Sequence, residues 1–312
     1  MTISYSGSFY RTLLRWKGSI WKTIWKELLA FLILYYSVRV IYHFFLPEDA
    51  QEIMRQLVND FDTYTSKIPL NFLLGFYVAA VVKRWWEQFS FVVWPDDVIT
   101  HLTFLMDDLQ NEMTMMRRRQ IARYLNLTAA LAWRGISVKV RKRFPSMAHL
   151  VTAGLITEDE LVLFNKAPAN IQWMLPIEWS QQLMKQHLSE HNISVNTPSV
   201  TNWLGKLHAY RNGCRMLYCY DWICIPLVYT QVAAIATYGY FALCLIGRQF
   251  DVPAWALRGN VWYDGGDLPP HACTKSCIDY VFPIFTTLEF IFYVGWFKVG
   301  QDLMRPFEED GG

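Results

Sequence analysis

The sequence predicts an all-α membrane protein with four transmembrane helices and a large cytosolic helical region. Three observations predict it. Aromatic residues make up 16% of the 312 positions and charged residues only 18%, whereas about a quarter of the residues of soluble domains are charged. Four apolar stretches approach the ~20 residues that a helix needs to cross the hydrocarbon core. No long stretch alternates like a strand, while apolar positions recur at three- and four-residue spacing through the middle of the chain. The near-balanced net charge of +2 gives no reason to expect a nucleic-acid partner, because phosphate binding needs a concentrated basic face.

The elements follow in order. Residues 1–27 form a cytosolic N-terminal segment in which Arg11, Arg15, Lys17, Lys22 and Lys26 stand against Glu27. It lacks the apolar run and cleavage site of a signal peptide. The first span is 28–46, with Arg39 and His43 inside it. A connection from Pro47 to Lys67 is acidic, with Glu48, Asp49, Glu52, Asp60 and Asp62 against Arg55 and Lys67. Basic flanks stay inside, so this asymmetry predicts cytosolic N- and C-termini. The second span is 68–86, "IPLNFLLGFYVAAVVKRWW". The cytosolic helical region is 87–221, the third span 222–246, the extracellular loop 247–279, the fourth span 280–299 with Glu289 in its middle, and the cytosolic C-terminal segment 300–312. On this topology Cys273 and Cys277 face an oxidising compartment and read as a disulfide or as two unrelated thiols. The sequons at Asn126 and Asn192 lie inside and stay unmodified.

Within the middle region, Pro145 interrupts the helical pattern, Ser146 can cap the next helix, and Thr157 followed by three acids repeats the start signal in "ITEDEL". The run Arg117–Arg119 reads as a solvated face or as a patch for lipid headgroups or anions. "HLSEH", His187 to His191, matches the H-x-x-E-H form of some zinc proteases, but five letters match often by chance and no third ligand is identifiable. No G-x-S-x-G, Walker loop or dinucleotide fingerprint occurs, so the expectation is a protein that is not an enzyme.

The second span carries the sharper signal. On one helix Ile68, Phe72 and Phe76 fall at i, i+4 and i+8 as a bulky apolar stripe. Pro69 suits a first turn, which places the helix start near Ser66 or Lys67. Asn71 and Gly75 lie off the stripe, and glycine permits close helix approach. Core packing explains such a stripe, and so does a helix that packs against copies of itself around an axis.

The segments "WKGSI", "IPLNFLLGFYVAAVVKRWW", "KRFPSMAHLVTAGLIT", "YDWICIPLVYTQV", "LIGRQF", "YVGWFKV" and "RPFEED" occur in the order found in the bestrophins, and the sequence resembles that family of pentameric anion channels along nearly its whole length. The resemblance implies a bestrophin-like pentamer, homomeric or mixed with paralogous subunits, in the cell membrane, with chloride as permeant ion. It implies a pore neck of Ile68, Phe72 and Phe76, and a second, cytosolic aperture at Ser199 in "NTPSV", or at Thr197 or Pro198 if the alignment slips. It also implies a calcium clasp after the fourth span, for which Asp302 and Asp310 are the matching carboxylates. Here the chain departs from the pattern. The N-terminal segment before "WKGSI" is several residues short, Asp302 stands where an amide is usual, Arg305 replaces an asparagine ligand, and the sequence stops at Gly312 within the acidic run. A guanidinium beside the site repels a divalent cation, so weak or absent calcium activation is expected, unless Arg305 turns outward and Glu308 or Glu309 compensates. The alternative to a channel is a non-conducting membrane subunit or scaffold that keeps the fold.

Overall fold

Proline sets many of the helix boundaries, because it lacks an N–H and disfavours helical geometry in the residue before it. The structure, a computed structural model, describes residues 8–108, 110–168, 170–249 and 282–307, without the side chains of His43, Glu48 and Arg55. Among the described residues every regular element is helical: α1 (Phe9–Leu13), α2 (Ile20–Phe44), α3 (Glu48–Lys67), α4 (Leu70–Ser90), α5 (Asp96–Leu105), α6 (Glu112–Ile136), α7 (Val138–Arg143), α8 (Met147–Thr152), α9 (Glu158–Lys166), α10 (Leu175–Glu190), α11 (Pro198–Trp222), α12 (Leu227–Gly247) and α13 (Ile284–Met304), with a short 3₁₀ turn at Gln172–Met174 before α10. The chain divides into two units, Thr2–Val82 with Ile225–Met304, and Lys83–Cys224 with Arg305–Gly312.

The first unit is the apolar one. Its core joins Phe31 of α2, Leu70, Leu74, Tyr77, Val78 and Val81 of α4, Phe241 and Cys244 of α12, and Phe290, Val294 and Phe297 of α13. Aromatic rings fill it, with Phe290 meeting Phe31 at 4.9 Å and Phe241 at 4.8 Å between centroids. Small residues let helices approach, as they do in membranes where no hydrophobic force drives helices together. A Cβ added at Gly247 would come within 2.8 Å of the Asp62 backbone nitrogen, so α12 and α3 pack backbone to backbone at that point.

Helix boundaries differ from the sequence reading at several points. The acidic connection 47–67 is itself a 20-residue helix, α3, entered at Pro47. The third apolar stretch does not start its helix at Trp222: that residue ends α11, and α12 begins at Leu227 after Pro226, which occupies the N-cap position. By length and composition α12 suffices to cross a bilayer, and α3 with α4, bent by 41° at their junction, forms a second candidate when taken as one span.

The middle unit has two apolar clusters. One surrounds the fully buried Trp203, with Val98 and Leu102 of α5, Ile121 and Leu125 of α6, Met184 of α10 and Leu207 of α11. The other joins Leu127 and Leu131 of α6 to Leu150, Ile156 and Phe164. Thr157 caps α9 as the sequence indicated, its hydroxyl accepting from the Glu160 N–H and Glu160 accepting in return from the Thr157 N–H. Glu160 also takes a bidentate pair from Arg123 at 2.7 and 2.6 Å and the Tyr124 hydroxyl at 2.7 Å. Burial alone would raise this carboxyl, but the Arg123, Thr157 and Tyr124 donors hold it down to about 2. Ser146 occupies the N-cap position of α8 without capping it, its hydroxyl lying 2.8 Å from His149 Nδ1 instead.

Candidate pore-lining site

Helical periodicity divides α4 into two faces. Leu70, Leu74, Tyr77, Val78 and Val81 recur at the spacing of one helical face and are all buried in the apolar core. Phe72 and Phe76 point the other way, 64% and 59% exposed. Their rings sit 4.7 Å apart at 64°, in an edge-to-face arrangement that aromatic quadrupoles favour. Within one subunit no other helix covers this face, which is therefore open to lipid or to another copy of the chain.

Ile68 behaves differently from its predicted companions, and the expected helix start near Ser66 or Lys67 is corrected. Lys67 ends α3, and Ile68 is its C-cap in extended geometry (φ −78°, ψ 114°), because a residue before proline is pushed out of the α region. The Pro69 carbonyl accepts the first bond of α4 from the Leu73 N–H at 3.1 Å. Ile68 therefore stands in the break, half-buried and packed on the core cluster, and does not continue the Phe72–Phe76 face by helical register.

Ser199 lies half-buried in the first turn of α11, with Thr197 at the N-cap and Pro198 opening the helix. The Thr197 hydroxyl donates to the Ser194 carbonyl at 2.6 Å, so of the three candidates it is the one whose polar group is already engaged within its own loop. Asp302 is in the last turn of α13, on the exposed side. Burial by surrounding atoms raises its carboxyl above the ordinary value, against the lowering pull of Lys298. Asp310, Glu308, Glu309, Cys273 and Cys277 lie outside the described residues. Calcium is implied by the resemblance, and among the described residues no group of three His, Cys, Asp or Glu side chains is placed to hold a metal.

Other sequence signals resolve structurally. In "HLSEH", His187 is 3% exposed and its imidazole is lowered by burial, with His191 and Arg117 adding to the effect. Glu190 is held by Arg117 in a bidentate pair at 2.6 and 2.5 Å, so the motif is an ion-paired helix end. The run Arg117–Arg119 is neither a solvated face nor a headgroup patch as a whole: Arg117 is buried, Arg118 donates to the Met106 carbonyl at 3.2 Å, and only Arg119 is exposed. The sequon at Asn126 ends in Thr128, which is fully buried and donates to the Tyr124 carbonyl.

One polar constellation went unread in the sequence. Glu289, which stood without a partner in the fourth apolar stretch, accepts from Tyr240 at 3.2 Å and pairs with Arg248 at 3.7 Å. Arg248 also reaches Asp62 of α3 at 3.5 Å. Ionisable groups in apolar bundles are retained in such pairs. Four residues from three helices and one helix end come together here, and only the oddity of a mid-stretch glutamate announced it. A second pair, Lys298 with Glu27 at 2.7 Å, ties α13 to α2.

These features define an all-helical membrane protein. The family model described as "Bestrophin, RFP-TM, chloride channel" matches residues 1–312, and the chain belongs to the bestrophin family. It is 48% identical to Bestrophin homolog 13 of Caenorhabditis elegans, over 99% of this chain and 73% of that protein. It is 40% identical to human Bestrophin-1, over 99% of this chain and 52% of that protein, so it spans about half the human relative's length. Among solved structures, a mutant of a bacterial bestrophin homolog from Klebsiella pneumoniae superposes with TM-score 0.61 at 16% identity, over 93% of this chain and 91% of that one, a likeness of fold.

Proposed function

We propose that this chain is a subunit of a chloride-conducting channel, assembled as a homopentamer or with paralogous subunits, in which the exposed Phe72–Phe76 face of α4 from each copy lines a common neck. The observation that carries this reading is the outward pair itself: two edge-to-face phenylalanines directly opposite the buried face of the same helix. A ring of such side chains excludes bulk water and gates by dewetting. The electropositive ring edges favour an anion, and large, weakly hydrated anions pass most readily because they lose least on desolvation. Ile68, in the break before α4, forms the rim of the neck, and Ser199 the polar cytosolic aperture.

The four apolar stretches cross the membrane, with α3 part of the non-cytosolic connection, and both termini are cytosolic. The basic segment before α2 and the acidic residues of α3 support this orientation. Calcium activation is weak or absent, a reading supported by Arg305 in place of a neutral ligand. Reversal potentials under chloride replacement test the function. A conducting channel shifts its reversal potential with the chloride gradient, and Phe76→Ala alters its selectivity or gating; absence of current in both would favour a scaffold.

A further inference from the structure

Away from the α4 face, the middle unit contains a half-open cavity of about 240 Å³ lined by Leu131, Arg134, Gly135, Arg141, Met147, Gln172 and Trp173. Its two guanidiniums are fixed before any ligand arrives. Arg134 donates from Nε to the Phe144 carbonyl at 2.6 Å and from Nη2 to the Pro145 carbonyl at 2.8 Å. Arg141 donates from Nε to the Arg134 carbonyl at 3.3 Å and from Nη2 to the Gly135 carbonyl at 2.6 Å. Each thus spends Nε and Nη2 on backbone carbonyls, which fixes the guanidinium beside the cavity. No carboxylate lines the cavity among the described residues. Two like charges held at one cavity, with no carboxylate among its described lining residues, create a positive potential. The remaining wall is apolar and aromatic: Leu131, Met147, and Trp173, which itself packs on Tyr218 at 5.4 Å between centroids.

We infer that this cavity binds a small soluble organic anion, one carboxylate or phosphate on a compact apolar body. Guanidinium donors match the oxygens of such a group, and the volume, just under the roughly 300–1,000 Å³ of ordinary ligand clefts, selects a compact body.

The test is calorimetric titration of the purified full chain in detergent with benzoate, phenyl phosphate and inorganic phosphate. Both aromatic anions should bind, with inorganic phosphate much weaker. Arg141→Met should weaken the aromatic anions about tenfold or more, the loss of a charged hydrogen bond. Met147→Trp, which fills the cavity, should abolish binding while the thermal midpoint of the protein is retained. The inference is overturned by absence of binding of both aromatic anions at millimolar concentration, by unchanged affinity in Arg141→Met, or by inorganic phosphate binding as tightly as phenyl phosphate.

Discussion

Arg123 and Glu160 form a two-bond ion pair that joins α6 to the first turn of α9, and the same carboxylate completes the cap of that turn. The pair is largely buried, with 22% and 13% side-chain exposure, so solvent screens it little.

Its consequence is acid sensitivity. The folded-state pKa of Glu160 is depressed from 4.5 to about 2, so its stabilisation is fully present above the ordinary carboxylate range and is lost as pH falls from about 4.5 through about 2. By linkage the contribution is about 3 kcal/mol. In acid titrations of the purified protein followed by circular dichroism, Glu160→Gln should be less stable near neutrality and show a flatter stability profile across that window. An unchanged acid profile would mean that the pair contributes nothing to the fold.

The backbone approach of α12 to α3 makes a sharp contrast between two glycines. A Cβ at Gly247 would meet the backbone of Asp62 and Phe61 at 2.8 and 3.0 Å, whereas nothing lies within 4 Å of one at Gly239. Gly247→Ala should destabilise by about 1–3 kcal/mol, the usual cost of overpacking, while Gly239→Ala should be neutral or stabilising by up to about 1 kcal/mol from helix propensity. Thermal unfolding in detergent distinguishes them, and equal midpoints would contradict the close approach.

Arg84 closes the C-terminal end of α11. Its Nη2 donates to the Tyr220 carbonyl and, at 2.6 Å, to the Ile223 carbonyl, while its guanidinium lies 5.1 Å from the Tyr220 ring centroid. Tyr220 in turn donates to Glu87 at 2.8 Å. Lysine keeps the charge without the planar fork, so Arg84→Lys should cost about 1–3 kcal/mol by leaving helix-end carbonyls unmet. A midpoint equal to that of the parent chain would show that water serves those carbonyls equally well.

The proposed weak or absent calcium activation has its own signature. In excised patches stepped from calcium-free solution to micromolar calcium, current should change little. A steep micromolar response would show that an oxygen cage exists, and Asp302→Ala would then test whether that residue belongs to it.

Much of this arrangement was legible from local chemistry. The start of α9 was visible because Thr157 and Glu160 carry their cap in adjacent residues, and the Phe72–Phe76 face because its spacing lies within one helix. Boundaries set by proline were legible only in part. Pro69 suits the first turn of a helix running from Ser66 or Lys67, but its effect on the preceding residue ends α3 at Lys67 and moves Ile68 off the helix. Pro226 likewise delayed α12 to Leu227. Least legible were contacts assembled from distant segments. Glu289 finds Tyr240 and Arg248, and Arg117 finds Glu190, through tertiary packing that no local pattern encodes.

The measurement that bears most directly on the Phe72–Phe76 face is thiol accessibility in a conducting membrane. Phe76→Cys is exposed to a sulfonated, negatively charged methanethiosulfonate reagent while anion current is recorded, with the parent chain as control for its native cysteines. The account predicts rapid, persistent loss of current in Phe76→Cys alone. Current that flows unchanged, with the new thiol unmodified, would place that side chain in lipid or protein and contradict it.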